Sequence, residues 1–171
     1  MLLDRFASGS HRAGAAPSGE GRGRILEKTI TIAAALILRE DGNVLLVRKN
    51  GSPVFMQPGG KIEPGETAAE ALRRELNEEL GLTIAVDEPI PLGRFAAAAA
   101  NEPGYRVEAE LFLLAATDDA QPGAEIAEMR WVDPDVLGAL EIATLSRDHI
   151  LPLSRPPQRL LALLGRHRRG A

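Results

Sequence analysis

A mixed β-sheet covered by helices, in an α/β or α+β layered domain, is the fold class that this sequence predicts. Three observations carry it. Short strand-like runs with apolar residues at alternate positions recur along the chain, from Lys28 to Val132. One long amphipathic helix, built on Leu72, Leu76 and Leu80, interrupts them. Further helical pattern gathers towards the C-terminus. Strands around a single long helix, with no internal repeat, suit a layered domain.

The size is compatible with one such domain. The chain has 171 residues, and 44% of them are hydrophobic, enough for an ordinary core. The formal net charge of −4 is mild and argues against a broad nucleic-acid-binding surface. There is no cysteine, so disulfides and thiolate-bound zinc are excluded. No apolar run approaches the roughly 18 residues that a membrane span needs. Met1 to Arg24 lacks the apolar centre of a secretory signal, and a cytoplasmic protein is expected.

Taken in order, residues 1–24 are rich in Gly, Ser, Ala and Arg, and an N-terminal extension over 1–27 is expected to be disordered. Residues 28–155 are expected to form the domain. Lys28 to Leu38 reads as a strand, Asp41-Gly42-Asn43 as a turn and Val44 to Val47 as the returning strand. A short strand at Val54–Met56 runs into a turn at Pro58-Gly59-Gly60, and a second turn follows at Glu63-Pro64-Gly65. Thr67 and Glu70 form a T-x-x-E capping box at the start of the helix. Gly81 stands where a left-handed residue ends it. Leu82–Val86 and Leu92–Ala99 then read as strands, although the alanine run also has helical propensity. Val107–Ala116 is a strand, Asp118 to Gly123 a polar loop, Met129–Val132 a short strand and Pro134–Leu140 a short helix. From Arg155 the tail carries five arginines and no acid. Leu160, Leu161 and Leu164 allow a short helix in 156–171, with a frayed basic end as the plainer reading.

The chemistry lies on the long helix. At about 100° per residue, Glu75, Glu78 and Glu79 share an arc of roughly 100° that borders the leucine stripe. Taken alone this arrangement is unfavourable. Glu75 repels both neighbours at spacings of three and four, and the C-terminal half of a helix disfavours negative charge. A bound divalent cation reverses both effects, and clustered carboxylate oxygens suit Mg²⁺ or Mn²⁺. A solvated acidic face is the alternative.

The surrounding spacing favours a site. Gly60, five residues, Glu66, seven residues, then Arg74-Glu75-Leu76-Asn77-Glu78-Glu79-Leu80-Gly81-Leu82 resembles the Nudix box at all nine specified positions. A chance match in a chain this long is on the order of one in a million with ordinary residue usage. The resemblance extends through Phe55-Met56-Gln57-Pro58-Gly59-Gly60 and covers roughly residues 28–153. It implies an α/β/α sandwich with a mixed sheet and a loop–helix–loop active site.

By this resemblance Glu78 and Glu79 are the principal metal ligands. Glu75 is a further ligand or the group that orients or deprotonates water, and Arg74 holds Glu75 or another carboxylate in place. Glu66 joins the metal network, and the Gly59 carbonyl supplies another oxygen. Gly60 and Gly65 permit the turns that fold the loop over the helix. The implied cofactor is Mg²⁺, with Mn²⁺ as a substitute.

Arg48 and Lys49 end the second strand near the expected phosphate site, and for them a phosphate-binding role and a plain surface position are both open. In similar proteins a glutamate from this region completes the metal site or acts as base, and Glu125 is favoured over Glu128 for that role, with a surface position as the alternative. Glu108 and Glu110 suit a solvated sheet face, Asp148 and His149 a structural role, and Trp131 the core. Arg166, His167, Arg168 and Arg169 could touch an acidic surface or RNA.

The implied activity is hydrolysis of a diphosphate linkage in a nucleoside diphosphate joined to another moiety, with nucleoside triphosphates preferred as substrates. ADP-ribose or a dinucleotide is the alternative, as is a nucleotide sensor without catalysis. Some ADP-ribose hydrolases have a proline about sixteen residues past the box, where this chain has Ala98. The partner implied is a nucleotide-type small molecule. No membrane is expected, nucleic acid is disfavoured, and a homodimer is left open.

Overall fold

The computed structural model describes residues 28–99 and 104–170. The expected disordered extension, residues 1–27, lies outside the described residues. The elements are β1 (Lys28–Leu38), β2 (Val44–Lys49), β3 (Phe55–Met56), β4 (Gly59–Lys61), α1 (Ala68–Leu80), β5 (Ile90–Ala98), β6 (Tyr105–Ala115) and β7 (Ile126–Val132), then a π turn, a 3₁₀ turn and α2 (Gln158–Gly170).

The strands form one mixed sheet in the order β3-β2-β1-β6-β5, with β4 added to β1 and β7 to β2. β1 and β6 run parallel in an unbroken register from Lys28↔Tyr105 to Leu38↔Ala115. The other pairings are antiparallel. The last six residues of β1 are all buried, as expected where both faces of a sheet are covered.

Alternation along β1 divides the core in two. Ala33, Ala35 and Ile37 face α1 and pack with Leu72, Leu76 and Leu80. Ala34, Leu36 and Leu38 face the opposite layer and pack with Ile150, Leu151, Leu160 and Leu164. Helical layers therefore cover both sides of the sheet, and the α/β/α sandwich is the observed architecture.

α1 is built as its sequence specifies. Thr67 and Glu70 exchange both capping-box hydrogen bonds, and Gly81 ends the helix at φ 67°. β5 shows that the alanine run is extended. Its pairing with β6 from Ile90↔Leu113 to Ala98↔Arg106 outweighs alanine's helical preference.

Four expectations are corrected. Pro58-Gly59-Gly60 is not simply a turn, because Gly59–Lys61 pairs with Ile32–Ala34 of β1. Leu82–Val86 is not a strand. Leu82 and Ile84 are buried against the α1 side, but the Ile84 carbonyl is taken by Arg73 Nε at 3.0 Å. Pro134–Leu140 is a pair of turns and not a helix. Asp133 caps the Asp135 amide, and Gly138 at φ 60° departs from helical geometry. The tail is not a frayed end. α2 has 13 residues, and Leu160 and Leu164, one turn apart, are buried in the second core cluster.

The docked helix makes a test available. Leu164→Ala should lower unfolding free energy by about 2 kcal/mol or more in urea melts, the cost of a core cavity. A frayed end would leave stability within about 0.5 kcal/mol of the parent.

Candidate active site

β4 and α1 both line a cleft of about 520 Å³, and two glycines let β4 lie close to its neighbours, Gly59 against β1 and Gly60 against α1. A side chain on Gly59 would strike the Ala33 carbonyl oxygen at 2.1 Å, and its φ of 137° also disfavours other residues. A Cβ on Gly60 would lie 2.3 Å from the Glu75 carboxylate. Glycine there leaves Glu75 the room it occupies.

The three helix glutamates differ sharply in exposure: 3% for the Glu79 side chain, 13% for Glu75 and 60% for Glu78. Their azimuths explain the order. Relative to Glu75, Glu79 lies about 40° towards the leucine stripe and Glu78 about 60° away from it.

Glu79 bridges three elements. Its Oε2 accepts a hydrogen bond from the Gly59 amide at 2.9 Å, and its Oε1 lies 2.9 Å from the Lys49 ammonium at the end of β2. Oε1 is buried and, despite this ion pair, accepts no well-directed hydrogen bond. Burial pushes the Glu79 pKa above the usual carboxylate range, against the pull of Lys49 and the Gly59 amide. For Lys49, burial is the largest single influence and acts to lower the pKa, but Glu79, with Glu75 and Glu125, outweighs it and the net shift is upward.

Arg74 organises the outer half of the site. Nε and Nη2 grip Glu66 in a bidentate pair at 2.8 and 2.9 Å. Nη1 holds Glu75 at 2.8 Å and lies 3.7 Å from Glu78, while Nη2 also donates to the Lys61 carbonyl at 3.0 Å. The Arg74 bonds, with the Glu63 amide, hold the Glu66 pKa down to about 2. The same carboxylates raise that of Arg74. Among the described residues, no three acidic or imidazole side chains stand at the spacing of a preformed metal site. Arg74 engages Glu66 and Glu75, and Lys49 engages Glu79.

The other candidates separate clearly. Glu125 and Lys49 line the cleft with Gly59, Gly60, Glu75 and Glu78. Arg48, one residue from Lys49, does not. It donates to the Ser52 carbonyl and pairs with Glu128 at 3.3 Å, because adjacent strand residues face opposite ways. Glu108 and Glu110 pair with Arg106 and Arg94 outside the cleft. Asp148 pairs with Arg147, also away from it. Trp131 is partly buried on the α1 side with Arg39 stacked over it at 4.0 Å.

Two residues here, Gly123 and Ser146, had no signal in the sequence, and a third, Gln57, lay in the segment of the resemblance with no role assigned. Gly123 docks on the end of α1, its amide donating to the Glu79 carbonyl at 2.7 Å, and this brings the Glu125 loop to the site. Any side chain at Gly123 would meet the Glu78 carbonyl at 2.1 Å. Gln57 and Ser146 meet on the cleft wall, where the serine hydroxyl donates to Gln57 Oε1. Gln57 Nε2 is buried without a partner, an arrangement that costs about 1–3 kcal/mol.

The sequence matches the NUDIX domain family over residues 28–153. It is 42% identical over 60 residues to 8-oxo-dGTP diphosphatase of Haemophilus influenzae, a match covering 33% of this chain and 44% of that protein. It is 42% identical over 65 residues to CTP pyrophosphohydrolase of Escherichia coli, covering 36% and 47%. The chain thus spans less than half the length of these two curated relatives. The crystal structure of the MutT protein from Methanosarcina mazei Go1 is similar with a TM-score of 0.63 and 27% identity, over 78% of this chain and 98% of that one. With the box residues gathered around β4 and α1, and the family match running from β1 into the 3₁₀ turn, this chain belongs to the Nudix family.

Proposed function

We propose that this chain hydrolyses a diphosphate linkage in a nucleoside diphosphate joined to another moiety, and that nucleoside triphosphates are its substrates. The observation that carries the reading is that Glu75, Glu78, Glu125 and Lys49 line one cleft whose other walls are largely apolar, with the buried Glu79 paired to Lys49. The charged groups suit phosphates, and the apolar walls suit a base. The relatives named for 8-oxo-dGTP and CTP support triphosphates as the substrate class.

The residues fit a divalent cation, Mg²⁺ with Mn²⁺ as a substitute. The donors are all oxygens, and the buried Glu79 Oε1 already borders one cation, Lys49. Glu78 and Glu79 would hold the metal, with Glu75, Glu66, Glu125 and the Gly59 carbonyl as further oxygens. When bound, it would neutralise charge on the diphosphate and acidify a water molecule.

The chain's own groups do the rest. Arg74 fixes Glu75, which takes the proton of the attacking water. Water oxygen bonds to phosphorus as the bridging P–O bond breaks and the leaving phosphate departs with its electron pair. Lys49 faces the charge that develops there. The products are a phosphate monoester and pyrophosphate, or a second phosphate ester.

Three outcomes are expected. Turnover of a nucleoside triphosphate panel, followed as released pyrophosphate or phosphate, should stop on chelation and return with Mg²⁺ or Mn²⁺; full turnover in excess EDTA would contradict the reading. Glu78→Gln should lower kcat by about 10²–10³, the usual loss for an electrostatic stabiliser. Because Glu78 is exposed, its melting behaviour should stay within about 0.5 kcal/mol of the parent. An active Glu78→Gln enzyme would remove Glu78 from the site. Lys49→Met should lower the melting temperature of metal-free protein, since it strips the counter-ion from a buried carboxylate. Added Mg²⁺ should restore part of the loss, and an unchanged metal-free melt would show that Lys49 does not stabilise Glu79.

A further inference from the structure

Gln57 and Ser146 stand 89 positions apart in the sequence and meet on the wall of the cleft. The serine hydroxyl donates to Gln57 Oε1, and the amide is held with its Nε2 end turned away from the serine. The Nε2 end then carries two N–H donors with no acceptor among the described residues, on a residue only 5% exposed. Native proteins seldom leave such a group unmet, and functional sites are where the exceptions gather.

The surroundings indicate what would meet it. Ile30, Ile32, Met56, Leu145 and Ile150 make the neighbouring cleft walls apolar. A phosphate or a metal would gain little from a neutral amide there and belongs with Lys49 and the glutamates. A flat, uncharged ring that presents an acceptor suits both the walls and the donor. Nε2 is shielded from water, so a base would reach it through a small movement of the lining, to which the flexible Met56 is suited.

We propose that Gln57 Nε2 reads the substrate's base by donating to a carbonyl oxygen, so that the site favours keto-bearing bases over adenine. Guanine, uracil and thymine carry such a carbonyl, and oxidation of a purine adds one. Adenine presents an amine instead, which would oppose a donor to a donor. The proposal rests on the nucleotide reading above. Ser146 is a positioning residue, holding the amide so that its donor end stays free.

The test compares kcat/KM for GTP, UTP and ATP with Mg²⁺, together with melting temperature, in three proteins. The parent should favour GTP and UTP over ATP by about tenfold or more. In Gln57→Met/Ser146→Ala, which removes donor and tether together, that ratio should fall about tenfold with no loss of melting temperature. Gln57→Glu keeps an acceptor for Ser146 but offers the base no donor, and should move the ratio further towards ATP. Equal ratios in parent and variants, or a uniform fall for all three nucleotides with a lower melting temperature, would overturn the proposal. Turnover of none of these or any other nucleotide by the parent would instead overturn the function reading, and this proposal with it.

Discussion

The site is organised around one buried anion. Glu79 sits on the helix, yet its carboxylate ends between the Gly59 amide of β4 and the Lys49 ammonium of β2. It therefore ties the helix layer to the sheet beside the cleft. Removing a carboxylate from water is costly, and a single amide hydrogen bond and one partly exposed ammonium return only part of that cost. The upward shift of its pKa expresses the remainder. A protein that keeps such a group holds a standing attraction for positive charge at a fixed place.

The neighbouring features follow from accommodating that anion and its companions. Gly59 has no side chain because β1 lies against it, and Gly60 has none because Glu75 fills the space. Arg74 spreads one positive charge over Glu66, Glu75 and, at longer range, Glu78. The repulsion that the bare sequence implies between i, i+3 and i, i+4 glutamates is thus offset in the folded protein by two cations, one for each half of the site. Acidic groups and their counter-ions are interleaved on the same short segments.

Much of this was legible in the sequence because it is local. The capping box, the leucine stripe and Gly81 specify α1 within fifteen positions, and azimuth alone ranks the burial of Glu79, Glu75 and Glu78. β1 was legible in its full length from its alternating residues. What depended on distant partners was not. Leu82 and Ile84 alternate as strand residues do and are buried, but their backbone finds no ladder. α2 has too short a stripe to stand out against its arginines, and only the opposite face of the sheet gives Leu160 and Leu164 a place to dock. Arg48 and Lys49 looked equivalent until strand alternation was applied to them. Gln57 lies in the segment that carries the resemblance, but nothing there announces Ser146 as its partner, and no motif announces Gly123 seated on the helix end.

The account stands on Glu79 as the anchor for a divalent cation, with Lys49 as its counter-ion in the metal-free protein. The most direct measurement is a Mn²⁺ titration of parent and Glu79→Gln, read by electron paramagnetic resonance of the free ion. Glutamine keeps the shape and the acceptor for the Gly59 amide but removes the charge. The account predicts that affinity falls by about tenfold or more while the protein stays folded, the loss expected when a buried charge no longer faces its cation. Equal Mn²⁺ affinity in the two proteins would contradict it.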